Sequence, residues 1–145
     1  PEGWFLVDVE NKLSNEIIAV AVNPEYNLSA VFSQMKNKDE IKSKIEQDGL
    51  FGLAWNFLSR KESKTAGNVK QIGKYQSIVM GNRRFVKYEY SSTGGAIVSK
   101  AATFISTANE YYEFSIVPIR VNDNLLPLQQ EINDTFQSIL AGIKY

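Results

Sequence analysis

The chain has 145 residues and a net charge of zero, with 43% apolar and 22% charged residues. This size and composition are typical of one ordinary globular domain, so we expect a single domain over residues 1–145. No apolar run approaches the length of a membrane-spanning helix, which predicts a chain without a transmembrane segment.

The composition includes no histidine and no cysteine. The chain therefore lacks the usual general base near neutral pH, the thiolate nucleophile, and the nitrogen and sulfur ligands of zinc, copper and haem. We predict a protein that is not an enzyme, with no catalytic residues, no metal and no cofactor. Without cysteine there are no disulfides, which fits the cytosol, the periplasm or a lipid-anchored domain.

The N-terminal part of the chain is rich in β-branched and aromatic residues. Trp4 to Val9 and Ile17 to Val22 therefore predict a first pair of strands. Leu28 to Met35 predicts a third strand, with a helical turn as the alternative. The ring of Trp4 is expected to pack against the sheet.

Two helical patterns follow. Asp39 is expected to cap a helix through Ile41 and Ile45, because its carboxylate can accept from amides of the first turn. Leu50 to Leu58 carries an amphipathic helical stripe that points to a different side, so we predict a break near Gly49. A single helix with a more deeply buried second half is the alternative.

Trp55 belongs to the second of these helical patterns. It lies beside Phe51 and Leu58, and we expect its ring in the core.

The second half returns to the strand pattern and then ends in a helix. Gly81-Asn82 predicts a tight hairpin turn and Asn109-Glu110 a second one. A stripe from Leu125 to Ile143 at helical spacing predicts a terminal amphipathic helix after Asp123-Asn124. The predicted antiparallel strands are Val69 to Val79, Arg84 to Ser91, Ile97 to Ala108 and Tyr111 to Ile119.

The order of these elements indicates the fold class. Helices that are segregated from runs of antiparallel strands are typical of α+β proteins. Apolar residues on both faces of the predicted strands favour helices on both sides of the sheet. We therefore predict an α-β-α sandwich with a mainly antiparallel sheet of six to seven strands.

Several short motifs that could carry chemistry have simpler interpretations. Ser33 and Lys36 match a Ser-x-x-Lys pattern, but the supporting motifs are missing, which favours a strand followed by a basic loop. Thr93-Gly94-Gly95 lacks the lysine of a phosphate loop and is interpreted as a hairpin turn. A group of acids without calcium-loop spacing is interpreted as a solvated helix face. Its members are Asp39, Glu40, Glu46 and Asp48.

The segment from Arg60 to Lys100 carries nine basic residues and two acidic ones. Such a segment could attract an acidic partner, and the sequence leaves open whether it forms one surface patch. Cations interleave with tyrosines here, but zero net charge and the frequency of tyrosines as cross-strand pairs favour a protein partner over a nucleic acid. The predicted partner-binding residues are Arg83, Arg84, Lys87, Tyr88 and Tyr90.

The opening Pro1-Glu2-Gly3-Trp4 resembles the proline-x-x-tryptophan start of the PsbP-like superfamily. Members share an α-β-α sandwich with the Ran-binding Mog-type proteins, and later features fit in order: the strand from Asn27, the helix after Asp39, the hairpins and the terminal helix. Most members do not catalyse reactions. They include extrinsic photosystem II subunits, a GTPase-binding factor and bacterial lipoproteins or secreted domains.

This resemblance implies a non-catalytic protein-binding or accessory domain of an extracytoplasmic or membrane-associated assembly, as a monomer or homodimer. An extracytoplasmic location is expected over a cytoplasmic one, and a lipoprotein is one form of it. The missing histidine counts against the manganese or calcium role proposed for some photosynthetic members. The alternatives are a hydrolase that uses carboxylates and hydroxyls, and a dimerising module that binds a small ligand.

Overall fold

The computed structural model describes residues 3–7, 17–24, 27–36, 39, 42–65, 68–92, 97–119 and 129–143. The strands are β1 (Phe5–Val7), β2 (Ile17–Asn23), β3 (Leu28–Gln34), β4 (Lys70–Met80), β5 (Arg83–Ser92), β6 (Ile97–Ile105) and β7 (Tyr111–Pro118). The helices are α1 (Lys42–Asp48), α2 (Leu50–Lys64) and α3 (Gln129–Gly142).

All of these strands join one seven-stranded sheet in the order β1-β2-β3-β7-β6-β5-β4. Every neighbouring pair is antiparallel. The predicted meander of β4 to β7 is confirmed, and β3 continues the sheet beside β7. The sheet edges are therefore β1 and β4 within the described part of the chain.

Helices lie on both faces of the sheet, which confirms the predicted α-β-α sandwich. α2 packs across β4, β5, β6 and β7, while α3 packs against β7 from the other side. Alternation along the strands sends neighbouring side chains to opposite layers: Phe85 joins the cluster with α3, and Val86 joins the cluster with α2. We call the two sides the α3 face and the α2 face.

Three backbone positions produce the predicted turns and break. Met80 pairs with Arg83, so Gly81 and Asn82 form a two-residue hairpin loop, with Gly81 at φ 64°. Gly49, at φ 61°, separates α1 from α2, which confirms the predicted break. The second hairpin differs from its prediction, because β6 ends at Ile105, which pairs with Tyr111, so the loop spans residues 106–110 rather than Asn109-Glu110 alone. Within this loop Asn109 has φ 59°, a conformation that asparagine tolerates better than most residues.

The core under α3 is built from aromatic and aliphatic side chains. The rings of Phe114 and Phe136 stack with centroids 5.7 Å apart, and Ile132 and Leu140 are buried beside them on the same helix. Each such side chain contributes about 1.5–3 kcal/mol of burial free energy. Trp4 packs against this cluster, as expected for a ring delivered onto the sheet.

The structure corrects the prediction for Trp55. Its side chain is 50% exposed, while Leu53, Ala54 and Leu58 of the same helix are buried. The buried side of α2 is narrower than the sequence suggests. Only one side of the helix packs on the sheet, and the other side is exposed. Trp55 lies on that exposed side.

Some predicted features lie outside the described residues: the Thr93-Gly94-Gly95 turn, the Asp123-Asn124 cap, and Leu125 and Leu128 of the terminal stripe. The same holds for Glu40 and Ile41 beside the predicted Asp39 cap. None of the helices in the described ranges is both long and apolar enough to cross a membrane.

Candidate functional site

A carboxylate is buried on the α2 face, in the middle of the sheet. Glu113 of β7 points to the same face as Tyr111 and Ser115, because side chains two residues apart share a face. Its side chain is only 2% exposed. A buried carboxylate needs a counter-charge or hydrogen-bond donors, since burying it alone is costly.

The donors come from three elements. The Lys61 ammonium of α2 forms an ion pair with Glu113 Oε1, and the Tyr88 hydroxyl of β5 donates to Glu113 Oε2. Ser115 Oγ donates to Oε1 at 3.3 Å. Lys61 Nζ also lies 3.4 Å from the Tyr88 hydroxyl oxygen, so the three groups form one connected network. Both carboxylate oxygens of Glu113 are satisfied.

The tyrosines around this network keep their protons. Burial, followed by the charge of Glu113 and its hydrogen bond, raises the pKa of Tyr88 well above the ordinary 10.0. Burial also raises the pKa of Tyr90, although the nearby Lys61 charge acts in the opposite direction. Both hydroxyls are therefore neutral at physiological pH, and Tyr88 is held as a hydrogen-bond donor.

Lys61 reaches Glu113 along the rings of its neighbours. Its Nζ lies 5.6 Å from the ring centroids of Phe57 and Tyr90. Those distances fall within the range in which a cation is attracted to an aromatic face. The Lys61 side chain is 25% exposed, so it connects the buried carboxylate to the surface.

That surface is an open groove with a volume of about 240 Å³, which we call the α2 groove. Its floor is the strand surface of β2, β3 and β7, and its wall is the C-terminal half of α2. Three basic residues and one acidic residue are among those that line it. The lining residues are Ile17, Val31, Ser33, Phe57, Arg60, Lys61, Lys64, Tyr90, Glu113, Ser115 and Val117.

The described residues that line the groove do not include a pair of carboxylates. Glu113 is the one carboxylate among its described lining residues, and it is already engaged by Lys61 and Tyr88. A carboxylate hydrolase needs two carboxyl groups facing each other. Across the described ranges, no group of three or more acidic side chains is arranged to hold a metal ion.

The predicted partner-binding residues do not form one surface. Alternation along β5 places Arg84, Tyr88 and Tyr90 on the α2 face and Arg83 and Lys87 on the α3 face. Tyr88 is 1% exposed and Tyr90 is also buried, which corrects the expectation that these rings join the arginines at a surface. Their hydroxyls serve the Glu113 network and the lining of the α2 groove instead.

The three cations of that prediction have different surroundings. The Arg83 guanidinium donates to the carbonyl oxygen of Ile143, at the end of α3. Arg84 is exposed, and Lys87 lines a small surface pocket beside β4. Contact between these cations and a partner stays a prediction. The basic segment from Arg60 to Lys100 is divided between the two faces rather than gathered in one patch.

Sequence reasoning missed Glu113 and Lys61. One signal was available, because Glu113 is the charged residue in a strand whose other residues, apart from Ser115, are apolar or aromatic. A charged residue within such a strand is almost never fully buried unless it is paired. The partner could not be identified from sequence, since Lys61 lies 52 positions away and is one of several basic residues on α2.

Comparison with known proteins supports the fold. No family model matches the chain, and no curated protein matches it. Among solved structures, the solution structure of cyanobacterial PsbP (CyanoP) from Synechocystis sp. PCC 6803 is similar, with a TM-score of 0.60 and 16% identity. The match covers 96% of this chain and 77% of that one. The chain therefore has a PsbP-like fold, while the predicted relationship to Mog-type proteins stays a prediction.

Proposed function

We propose that this chain is a non-catalytic, protein-binding accessory domain that holds an acidic, partly apolar segment of its partner in the α2 groove. The observation that carries this proposal is the pairing of an apolar strand floor with a basic helix wall in one groove. Acidic residues of a bound segment would meet the wall, and apolar residues would cover the floor.

The floor favours a macromolecular partner because the apolar surface extends beyond the groove. Val31 and Val117 lie on the α2 face of β3 and β7, and Ile17 continues this surface onto β2. Phe5 of β1 pairs with Val22 and is exposed on the same face. Exposed apolar surface that is contiguous and rimmed by polar groups is typical of interaction sites.

The wall favours an acidic partner. Glu113 is paired with Lys61, and the lining residues include three basic side chains, Arg60, Lys61 and Lys64, against this one acidic side chain. Charges at the rim of an interface mainly raise the association rate and select the partner, while the apolar centre supplies most of the affinity. We therefore expect binding that is strongly salt-dependent in its association rate.

The assembly is part of the same proposal. We infer that residues 1–145 act as one domain in an extracytoplasmic or membrane-associated assembly. The PsbP-like fold supports this, since the superfamily that the sequence resembles includes extrinsic subunits and secreted domains. The solution state, monomer or homodimer, can be determined by light scattering.

The test uses a displayed library of random twelve-residue peptides, selected on the wild-type domain. Selected peptides should combine acidic with apolar residues. The Arg60→Glu/Lys64→Glu variant should lose most of their binding. A matched control, Lys70→Glu/Lys74→Glu, carries the same charge change on the exposed face of edge strand β4 and should keep it. Arg84→Glu tests the earlier sequence prediction in the same assay.

The proposal fails if selected peptides show no acidic enrichment, or if the α2 reversals and the β4 reversals have equal effects. If Arg84→Glu alone abolishes binding, the partner surface is the β5 surface predicted from sequence. Each variant must first show the unfolding midpoint expected for a surface substitution, so that a loss of binding is not a loss of folding.

A further inference from the structure

α2 and edge strand β4 form a second surface feature, away from the α2 groove. Phe51 and Trp55 lie one turn apart on α2 and are 44% and 50% exposed. With Asp48, Gly52 and Tyr75 they line an open depression with a volume of about 370 Å³. We call these five residues the aromatic depression. None of its residues lines the groove described above.

The rings of the depression come from two elements and are held in place by packing. Tyr75 of β4 meets Phe51 edge to face, with centroids 6.4 Å apart. Tyr75 also packs edge to face on the buried ring of Tyr88, with centroids 5.7 Å apart. Gly52, a buried residue of α2, also lines the depression. The result is a three-ring wall around an open volume.

The charged residue that lines this depression is acidic, whereas the α2 groove is lined mostly by basic residues. Asp48 places a carboxylate among its lining residues. Glu62 lies near enough to Tyr75 that its charge, after burial, contributes to raising the pKa of the Tyr75 hydroxyl. Aromatic faces also carry negative charge density. A ligand complementary to this surface has an apolar shell and a positive charge.

We propose that the aromatic depression binds an alkylammonium cation, such as a quaternary ammonium group, between Phe51, Trp55 and Tyr75, with Asp48 as its counter-charge. Quaternary ammonium groups fit because they spread one positive charge over several methyl groups and have no hydrogen to donate. Aromatic rings replace their weak hydration at little cost. A ligand of this kind would use both the rings and the carboxylate, whereas a neutral apolar ligand would use the rings alone.

The chain itself contains the same interaction in buried form. Lys61 Nζ lies 5.6 Å from the ring centroids of Phe57 and Tyr90. There the cation belongs to the protein and is paired with Glu113. In the aromatic depression the rings are at the surface and are open to a cation from solution.

The test compares choline with 3,3-dimethyl-1-butanol, a neutral molecule of nearly the same shape, in NMR titrations of the whole domain. Choline should shift the Trp55 indole resonance with a dissociation constant in the millimolar range, and the neutral analogue should bind about tenfold more weakly or not at all. Equal binding of the two molecules, or no shift with choline, would overturn the proposal.

Two variants and one control assign the site. Trp55→Ala should weaken choline binding by roughly tenfold, monitored on Phe51 and Tyr75 resonances, and Asp48→Asn should weaken it several-fold. Phe5→Ala removes an exposed aromatic ring at the opposite edge of the sheet and should change nothing. If Trp55→Ala folds and binds choline as wild type does, the assignment is wrong.

The ammonium group could belong to a free molecule or to a lipid headgroup, and vesicles separate these sources. Binding to phosphatidylcholine vesicles that is lost in Trp55→Ala and competed by choline supports the same site with a headgroup as ligand. Saturable binding of soluble choline without vesicle binding supports a free cation. Vesicle binding that Trp55→Ala leaves unchanged, together with soluble choline binding that this variant also leaves unchanged, would overturn the proposal.

Discussion

The two faces of the sheet are built differently. Under α3, the rings of Phe85, Phe104 and Phe114 and the side chains of α3 form a closed apolar layer. Under α2, the layer contains a buried carboxylate and the buried tyrosines Tyr88, Tyr90 and Tyr111, and it opens into a groove over β2, β3 and β7. The layer under α3 resembles an ordinary domain core, whereas the layer under α2 combines a packed interior with an open surface groove.

This difference shows how the fold divides its tasks. A closed apolar layer gains the full transfer free energy of its side chains and tolerates no voids. A layer with buried polar groups gains less, but its network holds charged and aromatic side chains in defined places. We infer that the α3 face contributes most of the stability, while the proposed function assigns partner binding to the α2 face.

The largest expected effect distinguishes the two layers directly. Phe136→Ala should destabilise the protein by about 3–5 kcal/mol, because it leaves a closed cavity under α3. Phe57→Ala, at the wall of the groove, should cost roughly 2 kcal/mol, because solvent can enter the space. Urea unfolding measures both. An equal or larger cost for Phe57→Ala would contradict the division between the faces.

The next effect compares two ion pairs from opposite faces, Lys61 with Glu113 and Lys100 with Glu89. Lys61→Met should destabilise the protein by about 2–3 kcal/mol, because it leaves the buried carboxylate of Glu113 without its counter-charge. Lys100→Met breaks the 2.6 Å pair with Glu89, whose side chain reaches solvent, and should cost under about 1 kcal/mol. The double variant Lys61→Met/Glu113→Leu should recover much of the loss. If it does not, the hydrogen bonds from Tyr88 and Ser115 to Glu113 supply more of the stability than the pairing of its charge.

A third prediction concerns pH. The pKa of Tyr88 is raised in the folded state, so the folded chain holds this proton above about pH 10, where an unfolded tyrosine loses it. The unfolded state then binds fewer protons, and stability falls as the pH rises past this value. Measuring the free energy of unfolding at several values between about pH 8 and about pH 11 checks this prediction.

Tyr88→Phe should reduce that alkaline slope by up to one proton, at a cost of about 1 kcal/mol at neutral pH for the lost hydrogen bond. Phe85→Leu, a core substitution on the opposite face, should lower stability at every pH without changing the slope. An unchanged slope in Tyr88→Phe would mean that other groups control the alkaline transition.

The smallest expected effects on stability come from two substitutions on β1 that are expected to differ in their effect on peptide binding. Phe5 and Leu6 are both exposed on β1, but alternation places Phe5 on the α2 face and Leu6 on the α3 face. Phe5→Ser and Leu6→Ser should each change stability by less than about 0.5 kcal/mol. Phe5→Ser should weaken the binding of the selected peptides a few-fold, whereas Leu6→Ser should leave their binding unchanged. Equal effects would restrict the binding surface to the groove.

Local patterns predicted most of the fold. The Gly81-Asn82 pair predicted its hairpin and Gly49 predicted the break between α1 and α2, because these turns depend on backbone conformations that few residues adopt. The helical spacing of Ile132 and Phe136 predicted α3 for a similar reason: periodicity is a property of neighbouring residues.

The site was not predictable in the same way. Tyr88 and Tyr90 alternate in a strand pattern that is equally compatible with exposure and burial, and only the position of α2 decides between them. Trp55 was expected in the core because its neighbours are apolar, yet the helix is rotated so that this ring faces outward. The partnership of Lys61 with Glu113 depends on contact between a helix and a strand far apart in the chain.

The absence of histidine and cysteine, the order of strands and helices, and the positions of the turns were determined by the sequence alone, because each depends on composition or on residues close together in the chain. The tertiary structure decided which residues face the groove, which cations lie on each face, and where the aromatic depression forms. These features arise from packing between distant segments, where burial and charge pairing outweigh local preference.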